Sequence, residues 1–174
     1  MATSWSERVI NSIDVYTLTK DRDGYFKQAP EAMKNNIKNY LSKYKMMTDT
    51  INIREPKIVN FTVEFEVKTF PGHDKNEALY NVIKKIKEYF HNDNMDINQA
   101  LDIGELKFEL YKVEGVMIVN KILLSSAVSR TGTPYSTYSY NFEGNKIGDI
   151  IPPPAEIGIF ELKYPDKNIN GVVR

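Results

Sequence analysis

One stretch, residues 58–70, constrains the fold more than any other. Val59, Phe61, Val63, Phe65 and Val67 alternate there with Asn60, Thr62, Glu64, Glu66 and Lys68. Successive side chains of an extended backbone point to opposite faces, so this is a strand with one buried and one wet face. A sheet covered by helices on both sides has continuous apolar strands instead. The expected architecture therefore carries its helices on one face only.

The flanking residues supply those helices. Pro71 and Gly72 make a turn, and Asp74 with Glu77 has the spacing of a capping box, with Asp in place of Ser or Thr. Leu79, Val82, Ile83, Ile86, Tyr89 and Phe90 then form a helical stripe, closed by the polar run His91 to Asn94. Upstream, Met33, Ile37, Tyr40, Leu41 and Tyr44 predict an amphipathic helix over residues 30–44, with Pro30 as its first residue. Val15 to Leu18 has β character, so a strand is expected over residues 13–19, closed by the turn at residues 20–24. Residues 102–113 fit both periods, since Ile103, Leu106, Leu110 and Val113 have helical spacing while Leu106, Phe108 and Leu110 alternate. A short helix is the preferred reading. Gly115 breaks it, and residues 116–124 are rich enough in Val and Ile for another strand.

The resulting order, β-α-β-α-α-β, is that of an α+β chain, a two-layer α/β sandwich of ferredoxin-like arrangement. It is expected to occupy residues 1–128. Beyond it the composition changes to hydroxyls and aromatics without helical period. Residues 152–154 are three prolines, which must be extended and cannot sit inside a sheet. Residues 129–174 are expected to be an extended C-terminal arm carrying one edge strand over residues 157–164.

Composition removes several functions. The chain of 174 residues has no cysteine, which excludes disulfides, thiolate metal sites and a cysteine nucleophile. Its 23 basic and 23 acidic residues cancel, a poor footprint for neutralising phosphates, so no nucleic-acid partner is expected. No apolar run approaches a transmembrane length, and the first residues lack a basic segment followed by an apolar one. No membrane partner is expected, and residence in a reducing cytoplasm is.

No catalytic constellation stands out. His73 and His91 have no second ligand at metal spacing, and Asp93, Asp96 and Asp102 lack the pattern of a calcium loop, so no metal or other cofactor is expected. Glu64 and Glu66 share the wet face of the strong strand, where carboxylates seldom gain the burial that acid–base work needs; a partner-facing acidic surface is the better reading. Tyr135, Tyr138, Tyr140 and Phe142 form the most unusual cluster. With only Arg130 nearby they lack the charge of a base-stacking groove, and tyrosines suit protein contact. Pro153, Phe160 and Tyr164 complete the expected interface set. The plainer alternative is that this segment folds back over its own sheet.

The run Val59-Asn-Phe-Thr-Val-Glu-Phe-Glu-Val67, the helix ending in Tyr89-Phe90 and the helix-to-strand break from Leu106 to Gly115-Val116 resemble the baseplate J-like proteins of contractile-tailed bacteriophages. Residues Thr48-Asp-Thr-Ile-Asn52, Pro152-Pro-Pro and Ile159-Phe-Glu-Leu-Lys-Tyr-Pro165 are similar to the C-terminal part of the wedge proteins that form the inner baseplate ring in T-even-type phages. The resemblance covers most of the chain through diffuse strand and helix patterns, and its relatives are much longer. It implies a structural virion protein, not an enzyme. Copies would pair, helping to close a ring around the tail tube, and would bind other baseplate wedge subunits after assembly in the bacterial host cytoplasm. Two rivals are a small-molecule-sensing regulatory domain with a polar pocket near residues 69–75, and a hydrolase using Glu64 or Glu66.

Overall fold

The computed structural model describes residues 11–129 and 134–174. Arg130, named above, lies outside them. Strand β1 (Asn11–Tyr16) leads into a hairpin of β2 (Leu18–Lys20) and β3 (Phe26–Gln28), then helix α1 (Glu31–Leu41) and β4 (Asp49–Arg54). The middle of the chain is β5 (Lys57–Thr69), α2 (Lys75–Tyr89), β6 (Leu101–Asp102), α3 (Ile103–Tyr111) and β7 (Val116–Ser126). It ends with α4 (Phe142–Asn145), β8 (Ile150–Ile151), β9 (Gly158–Glu161), α5 (Pro165–Asn168) and β10 (Ile169–Val173). The fold is α+β.

β5 is the spine. Its alternation is realised as read: Phe61, Val63, Phe65 and Val67 are buried, whereas Glu64 and Lys68 are exposed. β7 pairs antiparallel along one edge. Along the other, β9 runs parallel to residues 57–60 and β10 parallel to residues 63–67, so two short strands share one edge. α2 and α3 cover the apolar face through Val82, Ile86, Leu106 and Leu110, all fully buried. Asp74 caps α2 by accepting the Asn76 N–H, and Asp102 caps α3 by accepting that of Glu105. The helical reading of residues 102–113 holds because Ile103, Leu106 and Leu110 are the buried positions, while Phe108 points outward. Gly115 ends that unit at φ 86°, a left-handed conformation in the turn that reverses the chain into β7.

The first strand departs from expectation. It does not join β5; it pairs in parallel with β4 as a separate two-stranded sheet, and the segment expected over residues 13–19 breaks at Thr17 into β1 and β2. Thr17 N–H donates to the Arg54 carbonyl, but the next donor on that strand would be Pro56, which has no N–H. The ladder stops there, and the chain enters β5 in a different sheet. α1 is also shorter than expected, with Pro30 as its cap and not its first residue.

The expected C-terminal arm is not an arm. Phe142, Ile151, Ile159, Phe160, Leu162 and Ile169 belong to the same buried cluster as β5, α2 and α3. The segment supplies two strands to the spine where one was expected, so its packing gives no boundary at residue 128. The physical reason is Phe61, whose ring faces Phe90 on one side and Phe142 and Phe160 on others, at centroid distances of 5.1, 5.8 and 6.5 Å. The core around β5 is completed only when the last third of the chain folds onto it.

Candidate functional site

The expected interface residues divide into two groups. Phe142 and Phe160 are each only 2% exposed and are core residues, which removes them from any contact surface of the folded chain. Tyr140 is half-buried beside them, its ring edge-on to both, and its hydroxyl donates to the Pro152 carbonyl at 2.7 Å. Burial raises the Tyr140 phenol above its ordinary pKa.

The second group reaches solvent. Tyr138 is 40% exposed, with the Lys57 ammonium 5.0 Å from its ring centroid. It stands between two open grooves. One, of about 420 Å³, has walls of Lys57, Val59, Tyr140 and Pro152 to Pro154. The other, of about 430 Å³, runs past Phe26, Ile58, Asn60, Tyr135 and Glu161. Pro153 thus lies on the same surface as Tyr138. Tyr135 and Tyr164 are half-buried neighbours, their rings 5.9 Å apart, and Tyr135 donates its hydroxyl to Asn168 Oδ1. Tyr164 holds a left-handed conformation at φ 54°, rare for a bulky residue, at the corner between β9 and α5.

Glu64 and Glu66 lie elsewhere, on the open face of the sheet. With Lys121, Asn170 and Val172 they border a shallow concavity of about 360 Å³. Glu66 is held by Arg174 at 3.1 Å and by the Asn120 amide at 3.2 Å, while Glu64 stays exposed. Glu64 is open to solvent and Glu66 partly so, and neither sits in an enclosed site. The structure does not bring them together with the tyrosines.

Under the tyrosine surface lies a polar cluster that sequence reasoning missed. Glu161 is fully buried, and its carboxylate accepts from Phe26 N–H at 2.6 Å, the Asn60 amide at 2.7 Å and the Asn92 amide at 3.2 Å. Asn60 in turn accepts Ser136 N–H at 2.6 Å, tying the tyrosine segment to β5. Burial pushes the Glu161 carboxyl above its ordinary pKa, against the opposing pull of Phe26 N–H, Asn60, Lys163 and Asn92. Among the described residues, Asn92 Oδ1 is buried without a hydrogen-bond partner. The cluster joins the β2–β3 hairpin, β5, β9 and the end of α2, so it fixes the platform on which Tyr138 stands. A charge between Phe160 and Leu162 was its only trace in the sequence.

The place expected for a metabolite is small. Beside the residue 69–75 turn the recess among His73, Asp74, Glu77 and Gly115 holds about 50 Å³, far below the several hundred of ligand pockets. Among the described residues no group of three or more His, Asp or Glu lies together as a metal site would, and no helix is long and apolar enough to cross a membrane. Comparison with known protein families and with curated proteins finds no match for this chain.

Proposed function

We propose that this chain is a structural assembly subunit, the C-terminal part of an inner-ring baseplate wedge protein of a T-even-type contractile-tailed phage. On this reading it pairs with its own copies and with other wedge subunits in the virion tail baseplate, after synthesis in the host cytoplasm, and performs no catalysis. The observation that carries the reading is the Tyr138–Pro153 surface: an exposed aromatic and a proline ridge between two open grooves, braced from below by the Asn60–Glu161 pair. Rigid aromatic and proline surfaces give large contact area at little loss of side-chain freedom, which suits protein contact. The β5-α2-α3-β7 unit, with helices on one face, supports a two-layer sandwich related to the ferredoxin-like arrangement.

The test is co-expression of the full chain with the other wedge proteins encoded by its phage, followed by size-exclusion chromatography. The expected result is co-elution with at least one wedge protein, lost in Tyr138→Ala with Pro153→Ser while the melting temperature holds. Failure to co-elute with any of them would overturn the reading. A metabolite that raised the melting temperature would then favour the regulatory-domain alternative.

A further inference from the structure

We infer that β1 is a self-pairing edge, through which two copies of this chain join in an antiparallel, two-fold contact centred on Ile13. Parallel strands are normally found in larger sheets covered on both faces, and two strands alone fall short of a stable sheet. β1 and β4 are parallel and only two. Their register puts Ile13 beside Ile51 and Val15 beside Ile53 on one face, and Ser12, Asp14, Asn52 and Arg54 on the other. α1 packs on β4, so Ile51 is 7% exposed, whereas Ile13 remains 46% exposed. Among the described residues, six of the sixteen large exposed hydrophobics fall between Ile13 and Met47.

The backbone fixes what can pair there. Thr17 N–H points to β4, so by strand alternation the odd residues of β1 face β4 and Ser12, Asp14 and Tyr16 present their N–H and C=O groups outward. Among the described residues no strand receives them. A two-fold axis at Ile13 sets Ser12 opposite Asp14 of the second copy as hydrogen-bonded pairs, twice, and sets Ile13 against itself. An axis at Asp14 would oppose two carboxylates. One at Val15 would run the pairing through the break at Thr17. An axis at Ser12 would confine the pairing to residues 11–13, whereas the Ile13 register pairs residues 11–15 within the strand and opposes no carboxylates. Asp14 brings no unpaired charge to it, since Arg54 Nε lies at 2.8 Å and the Asn52 amide at 2.9 Å. Joining the two edges gives a four-stranded sheet, and its isologous geometry closes as a dimer.

This deepens the assembly reading and rests on it only for the expectation that copies associate. The chain has no cysteine, so in full-length Ile13→Cys the new thiol is unique. Residues directly opposed in a non-hydrogen-bonded antiparallel pair have Cα atoms about 4.5 Å apart, within disulfide reach. Mild oxidation of Ile13→Cys is expected to give a covalent dimer, while Asp96→Cys, on an exposed loop outside β1, stays single. Ile13→Lys is expected to halve the molar mass by light scattering while the far-UV circular dichroism of the folded chain is kept, with a melting temperature that no longer depends on concentration. A dimer that survives Ile13→Lys, with no covalent product from Ile13→Cys, overturns the β1 contact and leaves self-association on another surface. A monomer at all concentrations overturns the β1 contact too, while co-elution with wedge proteins judges the broader reading separately.

Discussion

Asn60 and Glu161 stand opposite each other in the parallel β5–β9 ladder, and the Asn60 amide donates to the Glu161 carboxylate at 2.7 Å with both side chains out of solvent. Each also holds a piece of chain that no ladder joins to β5 or β9: Glu161 accepts Phe26 N–H from the β2–β3 hairpin, and Asn60 accepts Ser136 N–H from the tyrosine segment. The pair is therefore the joint where distant parts of the sequence meet under the proposed contact surface.

Removing the acceptor should loosen that joint. Glu161→Ala leaves Phe26 N–H and the Asn60 amide buried and unpaired, and each such group costs about 1–3 kcal/mol. A loss of roughly 3 kcal/mol is expected in urea denaturation. A change near zero would mean that water replaces the carboxylate and that the joint is not structural.

The same residue gives a pH dependence of definite sign. The folded pKa of Glu161 is raised, so the native state holds its proton over a range where the unfolded chain has released it. Its contribution is fully present below the ordinary carboxyl pKa and is lost as pH rises through the folded value. The stability of the intact chain relative to Glu161→Gln should thus be greatest in acid and decline toward neutrality. A relative stability that rose with pH would show that the three donated hydrogen bonds outweigh burial.

Glu109 has the opposite sign. Lys112 and Lys85 pair with it and hold its pKa down to about 2. Its contribution is present above the ordinary carboxyl range and is lost as pH falls toward that value. Carboxyl chemical shifts followed by NMR through acid should place its midpoint well below those of the other glutamates, and Lys85→Met should raise it. An ordinary midpoint would mean that solvent screens both pairs.

The pattern of legibility follows from the reach of each signal. β5 and α2 were readable because each has a local period that burial then obeys, as Val63 and Phe65 or Val82 and Ile86 demonstrate, whereas α3 fitted two periods and β7 was legible from its Val and Ile content. β10 was not, because Asn170 and Gly171 give no strand alternation; its place is set by Phe65, across the ladder. Glu161 was not singled out, because nothing local foretells three donors drawn from residues 26, 60 and 92. Of the candidate surface, Tyr138 and Pro153 were legible as unusual residues. That Phe142 and Phe160 were core depended on contacts with Phe61, some 80 to 100 positions away.

Gly171 tests that long-range placement directly. It lies opposite Phe65, and a Cβ there would come within 2.1 Å of the Phe65 ring. Gly171→Ala must push the ring or the strand aside, and overpacking of this kind costs about 1–3 kcal/mol. Gly171→Ala with Phe65→Leu should recover part of the loss, since a smaller side chain leaves room. Additive losses in the double variant would show that the two positions do not meet.

Truncation separates a core segment from a removable arm. A chain ending at residue 128 would lose β9 and β10, leaving one edge of β5 without its hydrogen-bonded partners. It would also expose Phe61, whose neighbours Phe142 and Phe160 would be gone. Fully burying one large apolar side chain is worth about 1.5–3 kcal/mol, and Phe142, Ile151, Ile159, Phe160, Leu162 and Ile169 all depart together. That sum reaches the whole net stability of a typical domain, about 5–15 kcal/mol. The truncated chain should show no cooperative thermal transition and should bind a hydrophobic dye that the intact chain does not. A sharp transition in the truncated chain would restore residues 129–174 as a dispensable arm. It would also mean that the Tyr138–Pro153 surface can detach from the sheet that is here assigned to support it.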